Sequence, residues 1–137
     1  MRTRHSMMGW IGLAALAVAG AWTMTDRATT AAEPRTVLRH VVMYKFKADQ
    51  SPAAVQEVVD AFSGLPKKID TIIGYEHGTN TSEEGKSDGL THVFVVTFRD
   101  KAGLAAYLKH PAHDAYVQVV KDRREKVVVF DYVAPAS

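Results

Sequence analysis

HVVMYKFK, running from His40 to Lys47, is the stretch on which the fold turns. It is rich in β-branched and aromatic residues and reads as a strand. Side chains alternate across a strand, so His40, Val42, Tyr44 and Phe46 share one face while Val41, Met43 and Lys45 share the other. Both faces are largely apolar. Such a strand is covered on two sides, and one layer of helices can cover only one of them.

Downstream, Ser51-Pro52 is a helix start, with Ser as N-cap and Pro at the first helical position. Val55, Val58, Val59, Phe62 and Leu65 follow at helical spacing, and Gly64 and Pro66 end the element. Ile72 to Gly78 forms a weaker strand, and a polar loop from Thr79 to Gly89 leads into THVFVVTFR, Thr91 to Arg99, the clearest strand of the chain. In that strand His92, Phe94, Val96 and Phe98 lie opposite Val93, Val95 and Thr97. A short helix is expected over Ala102 to Lys109, and a second helical segment from Pro111 through to Arg124. Val127 to Val133 is the last strand.

The order β-α-β-β-α(α)-β is the split βαβ pattern of ferredoxin-like domains, an α+β fold with a four-stranded antiparallel sheet in strand order 4-1-3-2. One sheet face packs on the helices. The other is expected to be apolar on every strand, and a second copy of the same sheet would bury it. The expected assembly is a homodimer closing into a dimeric α/β barrel. Size points the same way: the chain has no cysteine, and a core of about 100 residues is thin without disulfides or a partner.

Upstream, Arg2, Arg4 and His5 precede an uncharged stretch from Ser6 to Thr25. A basic start, an apolar centre and small residues after it describe a secretory signal, with Ala19-Gly20-Ala21 as the cleavage site and Ala31/Ala32 as a looser one. An uncleaved anchor is the alternative, since roughly 18 uncharged residues begin to span a bilayer. Residues 1–32 are therefore expected to be signal peptide, or anchor, plus linker, and 36–135 the domain. Either reading leaves the domain outside the cytoplasm, periplasmic or secreted, with membrane contact only if the segment stays uncleaved. The net charge of +2 arises before Glu33; from there on, 14 Lys/Arg face 14 Asp/Glu. No basic footprint for nucleic acid exists. The run Lys121, Arg123, Arg124, Lys126 is interleaved with acids and is expected to solvate a helix end.

In an antiparallel sheet of this topology the end of strand three lies beside the start of strand one. The helix leaving strand three should bring Tyr107, His110 and His113 towards His40, with His92 at the opposite end of the sheet. Structural roles stay open for several of these: His40 and His92 as hydrogen-bonded core histidines, His110 as the cap of the helix that Pro111 begins. A metal site at His110, His113 and Asp114 is not expected, because Pro111 breaks the helical phase between the histidines.

RHVVMYKFK, THVFVVTF, YLKHPAH and VFDYV, in this order and spacing, resemble the stress-responsive dimeric α/β-barrel (Dabb) domains from about Leu38 to Ala134. The functional pattern within that family that the chain resembles is that of a plant polyketide cyclase forming olivetolic acid, which performs a cofactor-free aldol condensation. Carried over by motif, the resemblance implies Tyr107 and His113 as the acid/base pair, with His40 and His92 at strand starts and His110 in the helical motif. The pocket is expected to be lined by His40, Val42, Tyr44, Phe62, His92, Phe94 and His110 and to need no metal or cofactor. Histidine can serve as base near neutral pH, and a phenol can donate a proton. The expected function is an exported homodimer binding a small apolar or aromatic molecule in its barrel, with cofactor-free acid/base lyase or cyclase activity. The alternatives are a non-enzymatic stress-associated oligomer and a cofactor-independent monooxygenase, all of which one fold can host.

Overall fold

The computed structural model describes residues 35–136; the expected signal or anchor over 1–32 lies outside the described residues. The elements are β1 (Thr36–Phe46), α1 (Pro52–Ser63), a 3-10 turn (Leu65–Lys67), β2 (Ile72–Thr79), β3 (His92–Phe98), α2 (Lys101–Leu108), α3 (Pro111–Val120) and β4 (Arg124–Pro135). The sheet runs β2-β3-β1-β4 with every neighbour antiparallel, the order expected from the chain.

Local chemistry accounts for the helix starts. The Ser51 hydroxyl accepts from the Ala54 amide ahead of Pro52, and the Asp100 carboxylate accepts from Gly103 at the start of α2. Each cap satisfies one of the amides that a helix N-terminus leaves without a partner. The second helical segment stops at Val120, short of the expected Arg124. Val120 is its last buried position, and the turn after it is held elsewhere. Arg123 donates to the Ala54 carbonyl at 2.8 Å and pairs with Glu57, while its own carbonyl accepts from Lys47. That last bond begins the ladder that makes Arg124 a strand residue.

On the helix side, Leu38, Val42 and Tyr44 of β1 and Phe94, Val96 and Phe98 of β3 are buried against Val58, Phe62, Tyr107, Tyr116 and Val120. Phe62 stacks on Phe94 at 4.4 Å between centroids and meets Tyr116 edge-on at 4.7 Å. Each such pair adds about 0.5–1.5 kcal/mol beyond area burial, so this cluster anchors α1 and α3 to the sheet. The helices leave β4 uncovered: Val129 and Val133, on this same side, are 51% and 60% exposed.

The opposite face carries Val41 and Met43 of β1, Val93 and Val95 of β3, and Val128 and Phe130 of β4 in register. Phe130 is 61% exposed there. The expectation of an apolar open face on every strand is corrected at β2, which presents Gly74, Glu76 and Gly78 to that side. The apolar patch is therefore centred on β3, β1 and β4. Its Arg39 end is polar, with the guanidinium donating to the Thr97 hydroxyl at 2.8 Å.

Candidate functional site

Leu38 pairs with Phe98, so β3 ends beside the start of β1, and α2 leaves the sheet at that point. Tyr107 is buried at the last turn of α2, and its ring centroid lies 5.7 Å from that of His40. Pro111 cannot continue α2 and instead opens α3, whose first turn carries His113. The His113 ring lies 4.6 Å from Tyr107. His40, Tyr107 and His113 thus form one cluster built from three elements.

The cluster lines a slot of about 270 Å³ between the helices and the uncovered strand β4. Val42, Tyr44, Phe62 and Val117 contribute apolar walls, and Val127 and Val129 of β4 form the outer side. The slot lies on the helix side of the sheet, not against the open face where the expected barrel would close, and Leu108 at its rim is 46% exposed.

Each polar group is poised differently. His40 Nδ1 lies 2.6 Å from Asp131 Oδ1 on the neighbouring strand. A carboxylate can only accept, so Nδ1 carries the proton and Nε2 is the basic nitrogen when the ring is neutral. Burial pushes the Tyr107 phenol well above its ordinary range, with Tyr44 and Tyr75 adding to the effect. Burial also holds His113 below the usual histidine range; Asp114 opposes that shift, and His40 reinforces it. The buried Nδ1 of His113 has no hydrogen-bond partner. Near neutral pH the slot therefore presents a protonated phenol beside a neutral imidazole.

Of the residues expected to line a site, His40, Val42, Tyr44, Phe62, Tyr107 and His113 come together here. Three are placed elsewhere. Phe94 is fully buried in the stack beneath Phe62. His110 caps α3, its Nδ1 accepting from the Ala112 amide at 3.0 Å. His92 pairs with Tyr44 at the far end of β1, packs edge-on against Phe46, and bonds the Thr91 hydroxyl. It faces a larger recess of about 420 Å³ beneath the β2–β3 loop, lined also by Met43, Leu90 and Val93. That recess is bigger, but the other titratable group in its lining, Lys86, is paired with Glu84, so the smaller slot, where three acid/base groups meet, is the better candidate for chemistry.

Sequence reasoning missed Asp131 and Arg124. Asp131 was legible as the one acid interrupting VVVFDYV, at a position whose neighbours on the same face are apolar. Arg124 was assigned to a helix end, and only the early start of β4 brings it to the slot.

The profile of the family described as the stress responsive A/B barrel domain matches residues 38–134. The stress-response A/B barrel domain-containing protein HS1 of Arabidopsis thaliana is 31% identical over 100 residues, covering 73% of this chain and 92% of that protein. Olivetolic acid cyclase of Cannabis sativa is 28% identical over 95 residues, covering 69% of this chain and 94% of the cyclase. Among solved structures, a dimeric ferredoxin-like protein from Jannaschia sp. CCS1 superposes with a TM-score of 0.61 at 29% identity, covering 70% of this chain and 97% of that one.

Proposed function

Because this chain belongs to the stress responsive A/B barrel domain family, we propose that it is an exported homodimer whose slot binds a small apolar or aromatic molecule and acts on it by cofactor-free acid/base chemistry of the lyase or cyclase kind. The observation that carries the reading is the unpartnered, buried Nδ1 of His113 beside Tyr107 in a slot open to solvent. A buried polar atom without a partner costs stability, and a catalytic role is one of the reasons a folded chain retains one.

In the proposed step His113 accepts a proton from a carbon adjacent to a carbonyl. Tyr107 donates its proton to the oxygen on which negative charge develops, the enolate or alkoxide. Burial supports both roles, since it keeps the phenol protonated and the imidazole neutral. The pairing of His40 with Asp131 holds a second imidazole in one tautomer at the same wall. Likeness to a protein named a cyclase supports the reaction class. The open apolar face and the dimeric Jannaschia relative support the homodimer. Arg2 and Arg4 ahead of an uncharged stretch support export.

The test is proton exchange. With 4-propylacetophenone in heavy water, the wild-type protein should accelerate loss of the protons adjacent to the carbonyl. His113→Ala should lower that rate by about 10²-fold or more, as expected for loss of a positioned base. Tyr107→Phe should lower it as well, and both variants should melt close to the wild type. Equal exchange in wild type and His113→Ala, with a large loss of stability in both variants, would sink the enzymatic reading in favour of a structural one.

A further inference from the structure

The slot is electrically polarised along its length. His40 and Asp131 face each other across β1 and β4 at one end. Four residues along β1, about 13 Å at strand rise, Tyr44 marks the other end, where Arg124 also lines the wall. Between them the walls are Val42, Val127 and Val129. The carboxylate end carries the acid/base cluster, and the guanidinium end carries no acid.

Arg124 pairs with no carboxylate among the described residues, whereas its neighbours Arg123 and Lys126 are held by Glu57 and Asp88. Its guanidinium carbon sits 5.9 Å from the centre of the Tyr44 ring. The Tyr116 hydroxyl donates to the Tyr44 hydroxyl at 2.9 Å, so the Tyr44 oxygen is already an acceptor and its own proton is free to be given. Burial raises both phenols, which keeps them protonated; for Tyr44 the bond from Tyr116 and then the charge and hydrogen bond of Arg124 work against that shift. A relay of two phenols and a planar fork of five N–H donors thus meet at one end of an apolar slot. They offer donors and positive charge, and the Tyr44 oxygen, which Arg124 also reaches, leaves most of the guanidinium's N–H groups for a ligand.

We infer that the ligand of this slot is a carboxylic acid with an apolar or aromatic body, its carboxylate seated on Arg124 and Tyr44 and its reacting carbonyl at the Tyr107/His113 end. Arginine matches a carboxylate in two parallel hydrogen bonds, and such charge-assisted bonds are stronger and more directional than neutral ones. The opposite polarity of the two ends fixes the orientation, because a carboxylate at the His40 end would face Asp131. A cation stacked on Tyr44 for packing alone would show no preference between charged and neutral ligands.

This inference rests on the slot being a ligand site, and the test separates the two. Affinity is measured by calorimetry for 3-(4-acetylphenyl)propanoate and for its primary amide, which has the same shape without the charge. The wild type should favour the acid by about tenfold or more. In Arg124→Gln the two affinities should converge, and Arg124→Lys should keep part of the preference. Thermal melts confirm that each variant is folded. Equal affinity for acid and amide in the wild type, or a preference that survives in Arg124→Gln, overturns the carboxylate assignment while leaving the slot a binding site. Binding of neither compound overturns the slot itself.

Discussion

At the scale of the residue, His113 connects stability to function. Its imidazole is held below its ordinary value of 6.5, chiefly by burial. The native state therefore resists protonation where the unfolded chain accepts it. Stability is then full above about 6.5 and falls as pH drops through that value towards the lowered native one. His92 is shifted in the same direction, by burial and then by His77, and adds to the slope. Melting temperatures taken between pH 7.5 and 5 should fall in the wild type and fall less steeply in His113→Gln. Parallel curves would mean that His113 is not held neutral. The reach of the sequence was uneven at this scale. Tyr107 and His113 stood out because YLKHPAH places them in one motif that the topology folds back on His40. Asp131 did not, because its partner lies 91 positions away and the pairing depends on strand register.

At the scale of the element, α3 shows how one residue type serves two ends. His110 and His113 stand in the same motif, yet the Nδ1 of His110 is used as a helix cap and the Nδ1 of His113 has no partner. Removing the cap in His110→Ala should cost roughly 0.5–2 kcal/mol of stability. His110→Asn should restore most of it, and neither variant should change the exchange rate with 4-propylacetophenone. A lost rate without lost stability would make His110 a ligand contact instead of a cap. Strand existence and order were readable because HVVMYKFK and THVFVVTFR are long runs of β-branched and aromatic residues and Ser51-Pro52 punctuates the chain between them. The α3–β4 boundary was not, since RREK is as compatible with a helix end as with a strand start. Tertiary contacts decided it: the Lys47–Arg123 backbone bond and the Arg123–Glu57 pair. The bareness of β2 on the open face also escaped notice, because glycines in Ile72 to Gly78 look neutral until register shows which side they face.

At the scale of the whole molecule, two surfaces ask for partners. The open sheet face, with Phe130 exposed on its β4 edge, asks for another apolar surface, and a second copy would supply one. The uncovered side of β4 asks for a ligand along Val127 and Val129. Compartment decides which ligands can reach it, and here the N-terminal pattern makes a separate prediction. A reporter fused after Ser137 should be active only outside the cytoplasm, and cytoplasmic activity would remove the export proposal while leaving the slot intact. The central claim, a homodimer with a small molecule held beside Tyr107 and His113, is tested most directly by native mass spectrometry of protein purified from its own compartment. The predicted spectrum shows a dimer carrying small-molecule mass, and that mass is reduced or lost in His113→Ala. A folded, ligand-free monomer in the wild type would contradict the account.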